Sequence, residues 1–224
     1  MEIGKLIEEN YPKRMEQILE KSWKIFKSQF VNGRIEINKE APFQHHFAQI
    51  IKSVGDLYAI NKEDLFRTDL ETKCENVKEK SKYIDITCGF LDRYSDKYKT
   101  SCAIELKFKT KVQAAQDVGR VDAYVDIEAL EKIVIEKKDY DLGKFYMITD
   151  YDAYTKPFKG KSAEDFKTHH KHTTEAEKEF IHSHNWKGLK GAKVFLKNSY
   201  TFNWEKIDKD EQEWYFLELT VKQI

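Results

Sequence analysis

Two acids and a lysine stand where chemistry could be done: Asp85, Glu105 and Lys107, each inside an apolar stretch. Residues 83–90 (YIDITCGF) and 101–108 (SCAIELKF) read as β-strands, with a polar turn, DRYSDK, over 92–97. Side chains alternate between the faces of a strand. Ile84, Ile86, Cys88 and Phe90 therefore share one face of the first strand, and Cys102, Ile104, Leu106 and Phe108 one face of the second. Asp85, Glu105 and Lys107 are left to the other side. With the turn centred near Ser95 or Asp96, Asp85 lies opposite Glu105 or Lys107 on the same face; a slip of one residue would separate the two acids. The chemistry such a group suits is metal-assisted phosphodiester hydrolysis. Two carboxylates on rigid strands can fix a hard cation and leave positions for phosphate and water. The metal lowers the pKa of the water and stabilises charge on the phosphate oxygens, and a neighbouring lysine orients the water or stabilises developing charge. The plainer alternative is a wet sheet face, where Asp, Glu and Lys are common.

An acid on one strand and acid-x-Lys on the next, here Asp85 and Glu105-Leu106-Lys107, resembles the active-site signature of the PD-(D/E)XK nuclease superfamily. The resemblance spans residues 40–150, with Ile84 where the family pattern has proline. It implies a restriction-endonuclease-like α/β fold: a central mixed β-sheet flanked by helices, with N-terminal helices and C-terminal strands added. It implies that Asp85 and Glu105 hold Mg²⁺, with Mn²⁺ as a substitute, and that Lys107 is catalytic. It implies a DNA endonuclease; restriction or phage defence is the common context for small members, and two such cores often pair to cut both strands of a duplex. The family commonly adds a glutamate from a helix before the hairpin. In EAPFQHHFAQIIKSV, residues 40–54, Glu40 matches best and Gln44 second. It also follows the acid-x-Lys strand with a helix whose glutamine or basic residue reaches the site. Gln116 and Arg120 fit that part, Gln116 orienting water and Arg120 holding phosphate. The alternative function is a catalytically silent nucleic-acid- or protein-binding module of the same fold; a third is an RNase or repair nuclease.

The elements that must position these residues follow from periodicity. From Pro12, Met15, Ile18, Leu19, Trp23, Phe26 and Phe30 recur at helical steps, so residues 2–30 read as helical. Ile35 and Ile37 suit a short strand. Phe43, Phe47, Ile50 and Ile51 form the apolar stripe of a helix over 40–54. Residues 55–81 are polar and charged and read as an irregular approach to the hairpin. Residues 112–134 read as a long helix, with Gly119 inside it at a cost of about 1 kcal/mol against Ala. GKFYMITD, 143–150, reads as a core strand, and strand–helix–strand is a crossover unit. Residues 151–191 read as an insertion with helix starts at Ser162 and Thr174; its Lys187 and Lys190, with Lys109 just past the second hairpin strand and Arg120, are the candidate DNA contacts. Its histidines lack a known ligand spacing. Residues 192–224 read as strands that extend the sheet, and Trp204 and Trp214 as packing residues.

Composition narrows the classes. A chain of 224 residues suits a single domain, and 40% apolar with 35% charged residues suits a folded rather than a disordered protein. No run approaches the roughly 18 apolar residues of a membrane helix, and the acidic N-terminus is unlike a secretory signal. Three cysteines without zinc-ligand spacing fit a reducing, cytoplasmic setting. Lys and Arg number 39 and so do Asp and Glu, which argues against indiscriminate electrostatic binding to nucleic acid.

Overall fold

The computed structural model describes residues 7–77, 80–113, 116–157, 165–182 and 192–223. Helix α1 spans Tyr11–Val31 and α2 spans Glu40–Leu57. Asn10 opens α1: its side chain accepts from Lys13 N at 3.1 Å, with Pro12 in the first turn. The expected stripe of α1 is buried from Met15 to Phe30, and α2 buries Phe43, Phe47, Ile51 and Val54. Both lie on one face of a six-stranded sheet.

That sheet has the order β1-β2-β3-β4-β8-β7, from β1 (Asp64–Val77), β2 (Lys80–Asp92), β3 (Lys97–Lys109), β4 (Leu142–Thr149), β7 (Glu205–Lys209) and β8 (Gln212–Val221). The first three are antiparallel neighbours. β4 runs parallel to β3, which requires a crossover, and helix α3 (Gln116–Glu131) supplies it. β8 and β7 close the other side antiparallel. The fold is thus α/β, with a mixed sheet between helices. β5 (Lys178–Ile181) and β6 (Lys193–Leu196) form a separate two-stranded sheet.

The sheet divides two apolar cores. One joins α1 and α2 to Ile86, Cys88, Phe90, Cys102, Ile104, Leu106 and Phe108. The other joins α3 to Ile84, Ala103, Phe145, Met147 and Leu217 and takes in Phe166, Phe180 and Phe202. Close approaches between layers use glycine: a Cβ on Gly55 of α2 would fall on the Phe66 ring of β1, and one on Gly119 of α3 on the Tyr154 hydroxyl. Among the described residues, no helix is long and apolar enough to cross a membrane.

Four expectations are corrected. Residues 64–77, expected to be irregular, are the 14-residue strand β1. As the sheet's edge it buries little, with Leu65 39% and Leu70 45% exposed, so its charges mask the pattern. Ile35 and Ile37 are buried but not in a strand. No helix begins at Thr174, whose hydroxyl instead accepts from Tyr200 N at 2.8 Å, and Ser162 lies outside the described residues. Finally, β6 pairs with β5 rather than extending the main sheet; β7 and β8 do extend it.

Candidate active site

The site forms where β2 and β3 part. Their ladder runs from Asp92↔Lys97 to Ile86↔Ile104, with a shift between Phe90 and Leu91. One step further brings Asp85 level with Glu105, the register the sequence required, but the main-chain pairing ends there. Leu106 N donates instead to Asp85 Oδ2 at 2.7 Å, and Phe108 N to Glu40 Oε2 at 3.3 Å. Two carboxylates thus take donors on the edge of β3 that β2 has left. The divergence shows in the packing: Ile84 and Ile86, two residues apart in one strand, belong to opposite cores, so they do not share the face alternation assigns them. Opposite them on β1, between the pairs Leu70↔Ile86 and Thr72↔Ile84, Glu71 has a left-handed φ of 51°. Gln44 holds this bend, its Nε2 donating to Asp85 O and to Glu71 Oε1, both at 2.7 Å.

From Glu105 a chain of ion pairs runs outward. Glu105, 2% exposed, meets Lys82 Nζ at 3.1 Å. Lys82 also meets Asp126 Oδ1 at 2.5 Å, and Asp126 Oδ2 meets Lys107 Nζ at 2.6 Å. Lys107 reaches Glu40 Oε1 at 3.8 Å and donates to Leu106 O at 3.1 Å. Helix α3 supplies Asp126, and one turn earlier Asp122, which pairs with Lys109 at 3.4 Å. Four residues of helix rise about 6 Å and two residues of strand about 6.7 Å, so acids four apart on α3 meet lysines two apart on β3.

Four carboxylates here face two ammoniums, and the excess negative charge shows. Burial pushes the Asp85 carboxyl up to about 6, with Glu40 and Asp126 adding to it against the Leu106 N–H and Lys107. Burial, then Asp126, drives Glu105 well above the carboxylate range. Burial alone would lower Lys107 and Lys82. For Lys107, Asp126 and Glu40 outweigh it; for Lys82, Asp126 and Glu105 do, and both lysines hold their protons more tightly than usual. Among the described residues, no group of three or more His, Cys, Asp or Glu side chains is arranged to hold a metal ion. The donor chemistry of Asp85 and Glu105 nevertheless fits a hard divalent cation: two carboxylates, one half-buried and one buried, in a cluster with more acids than lysines. What stands among them is lysine.

Of the other expected residues, Glu40 and Gln44 both join the site, Glu40 through Lys107 and Phe108 N, Gln44 by holding the Asp85 main chain. Gln116 is half-buried at the start of α3, ten residues or about 15 Å of helix from Asp126, and among the described residues no hydrogen bond ties it to the cluster. Arg120 is 1% exposed, pairs with Asp117 at 4.0 Å and donates to Ala153 O. The side chain is thus held inside the fold between α3 and the 152–154 turn. Lys109 stands beside the site on Asp122. Lys187 and Lys190 lie outside the described residues, as does His184. His170 Nδ1 accepts from Trp204 N at 3.1 Å, and burial beside His169 pushes His172 down to about 4. Lys82 and Asp126 escaped the sequence reading. The available signal was Asp122 and Asp126 at helical spacing opposite Lys109 and Lys107; nothing comparable marks Lys82.

No protein-family model, curated protein or solved structure matches this chain.

Proposed function

We propose that the chain is a Mg²⁺-dependent DNA endonuclease of the PD-(D/E)XK type, with a restriction-endonuclease-like core over residues 40–150. The observation that carries this is the Asp85 carboxylate on the edge of β3, accepting from Leu106 N at 2.7 Å between Glu105 and Lys107. The order α2, three antiparallel strands, α3 and a parallel strand supports it. Asp85 and Glu105 would hold the metal, with Glu40 as a further acid near Lys107. Bound there, Mg²⁺ supplies a Lewis acid for the phosphate oxygens and a water of lowered pKa. Lys107 keeps its proton and acts as a charge, placed by Asp126 and Leu106 O to orient water or stabilise the phosphate. Asp126 is a positioning residue. Pairing of two copies on duplex DNA and a role in restriction or phage defence follow from the resemblance alone.

The closed ion-pair cluster favours one competing reading, a binding module of the same fold without useful catalysis. Nicking of supercoiled plasmid with Mg²⁺ or Mn²⁺ separates them. Wild type should nick, and Glu105→Ala and Lys107→Ala should each lose a hundredfold or more of the rate. Cleavage that survives both substitutions would refute the site; binding without cleavage in either metal would establish the module. Parallel assays on single-stranded DNA and RNA sort the substrate.

A further inference from the structure

Lys82 has no place in the acid and acid-x-Lys pattern, yet it is the cation nearest Glu105 among the described contacts. It stands on the part of β2 that has left β3. Cys74↔Lys82, Lys73↔Tyr83 and Thr72↔Ile84 tie this stretch to β1 alone. The two-stranded ribbon leans on Lys137, whose Nζ donates to Glu75 O at 2.7 Å, at the end of the π-helical stretch Lys132–Glu136 that continues α3. From the ribbon the Lys82 side chain, 23% exposed, reaches inward to bridge Glu105 and Asp126.

We propose that Lys82 is a built-in competitor of the divalent cation: its ammonium occupies the Glu105–Asp126 pair and swings out when an ion binds Glu105. The inference rests on Glu105 being a metal ligand, as proposed above. An ion on Glu105 Oε1, the oxygen Lys82 holds at 3.1 Å, sits about 2 Å from it, so with Lys82 in place the two cations would lie within about 5 Å of each other. At that distance, in a buried and weakly screened setting, they repel strongly. One of the two lysines must yield, and the geometry selects Lys82. Lys107 is 13% exposed and is held by Asp126, Glu40 and Leu106 O. Lys82 is more exposed, has a four-carbon stem that can carry its charge to water, and touches two carboxylates. When it leaves, Asp126 still holds Lys107, so the proposed catalytic lysine stays in place.

Mn²⁺ titration of the full chain at pH 8, read by the electron-paramagnetic signal of free Mn²⁺, tests this without any cleavage assay. Lys82→Gln and Lys82→Met should bind Mn²⁺ at least tenfold more tightly than wild type. Lys82→Arg keeps the charge and should bind no more tightly than wild type, a comparison that holds even where the neutral variants fold poorly. Glu105→Gln should lose the site. If Glu105→Gln weakens binding but the neutral Lys82 variants do not tighten it, or Lys82→Arg binds more tightly, Lys82 is no competitor and the metal site stands. If Glu105→Gln binds as well as wild type, or no protein binds Mn²⁺, Glu105 is not a ligand and both proposals fall.

Discussion

Asp85 shows at the scale of one side chain how a site is purchased with stability. Its carboxyl titrates at about 6 in the fold against 3.8 unfolded, because burial and the neighbouring acids penalise the anion. A raised carboxylate binds its proton more tightly folded than unfolded, so stability falls as pH rises from about 4 to about 6. Above that window the cost is full, on the order of 2–3 kcal/mol. Asp85→Asn keeps an oxygen for the Leu106 N–H and removes the charge. The variant should melt close to wild type at pH 4 and several degrees higher at pH 8, measured by thermal unfolding at both values. An equal gap at the two pH values would show that Asp85 is not a strained anion. Glu105 and Lys107 were legible in the sequence because a period of two puts polar residues on one side of an apolar strand, and Asp85 as the acid between Ile84 and Ile86, although those two face opposite cores. Asp126 was marked only by its helical spacing from Asp122 opposite Lys107 and Lys109, and Lys82 not at all: its contact with Glu105 and Asp126 arises only when the β1–β2 stretch packs against α3.

At the scale of elements, β1 escaped notice because an edge strand with one exposed face carries Arg67, Asp69, Lys73 and Glu75 where a central strand carries Val or Ile. Its ladder with β2 still holds Asp85 in register. The crossover helix was legible from its length and its valines, and its glycine has a definite partner. A methyl at Gly119 meets the Tyr154 hydroxyl, and Tyr154 is 1% exposed with little room to give. Overpacking costs about 1–3 kcal/mol, against about 1 kcal/mol that alanine returns in helix propensity. Gly119→Ala should therefore lower stability by about 1 kcal/mol in urea unfolding. Adding Tyr154→Phe should recover part of it, giving a coupling that distant pairs lack. A Gly119→Ala protein more stable than wild type would show that α3 does not press on Tyr154.

At the scale of the molecule, α1 is locked to the sheet far from the site. Arg14, 1% exposed, pairs with Asp64 at 3.0 Å, and Tyr11 and Lys99 donate to the same carboxylate at 2.7 and 3.3 Å. Burial raises the Asp64 pKa, but Tyr11, the Asn61 N–H and Lys99 together overcome it and hold the group below the ordinary carboxylate value. Its stabilisation is present at neutral pH and fades on acidification, the opposite sense to Asp85. The chain as a whole balances 39 basic and 39 acidic residues, so its long-range pull on a polyanion is weak. Four carboxylates around the site would repel a phosphate locally. A bound divalent ion would offset that excess and present its own positive charge to a phosphate.

The most direct check is therefore the position of the ion itself. Crystals of the full chain soaked in Mn²⁺ and measured at the manganese absorption edge should show an anomalous peak between the carboxylates of Asp85 and Glu105, with the Lys82 ammonium displaced from Glu105. No peak there at saturating Mn²⁺, with Lys82 still bridging Glu105 and Asp126, would contradict the metal-dependent nuclease.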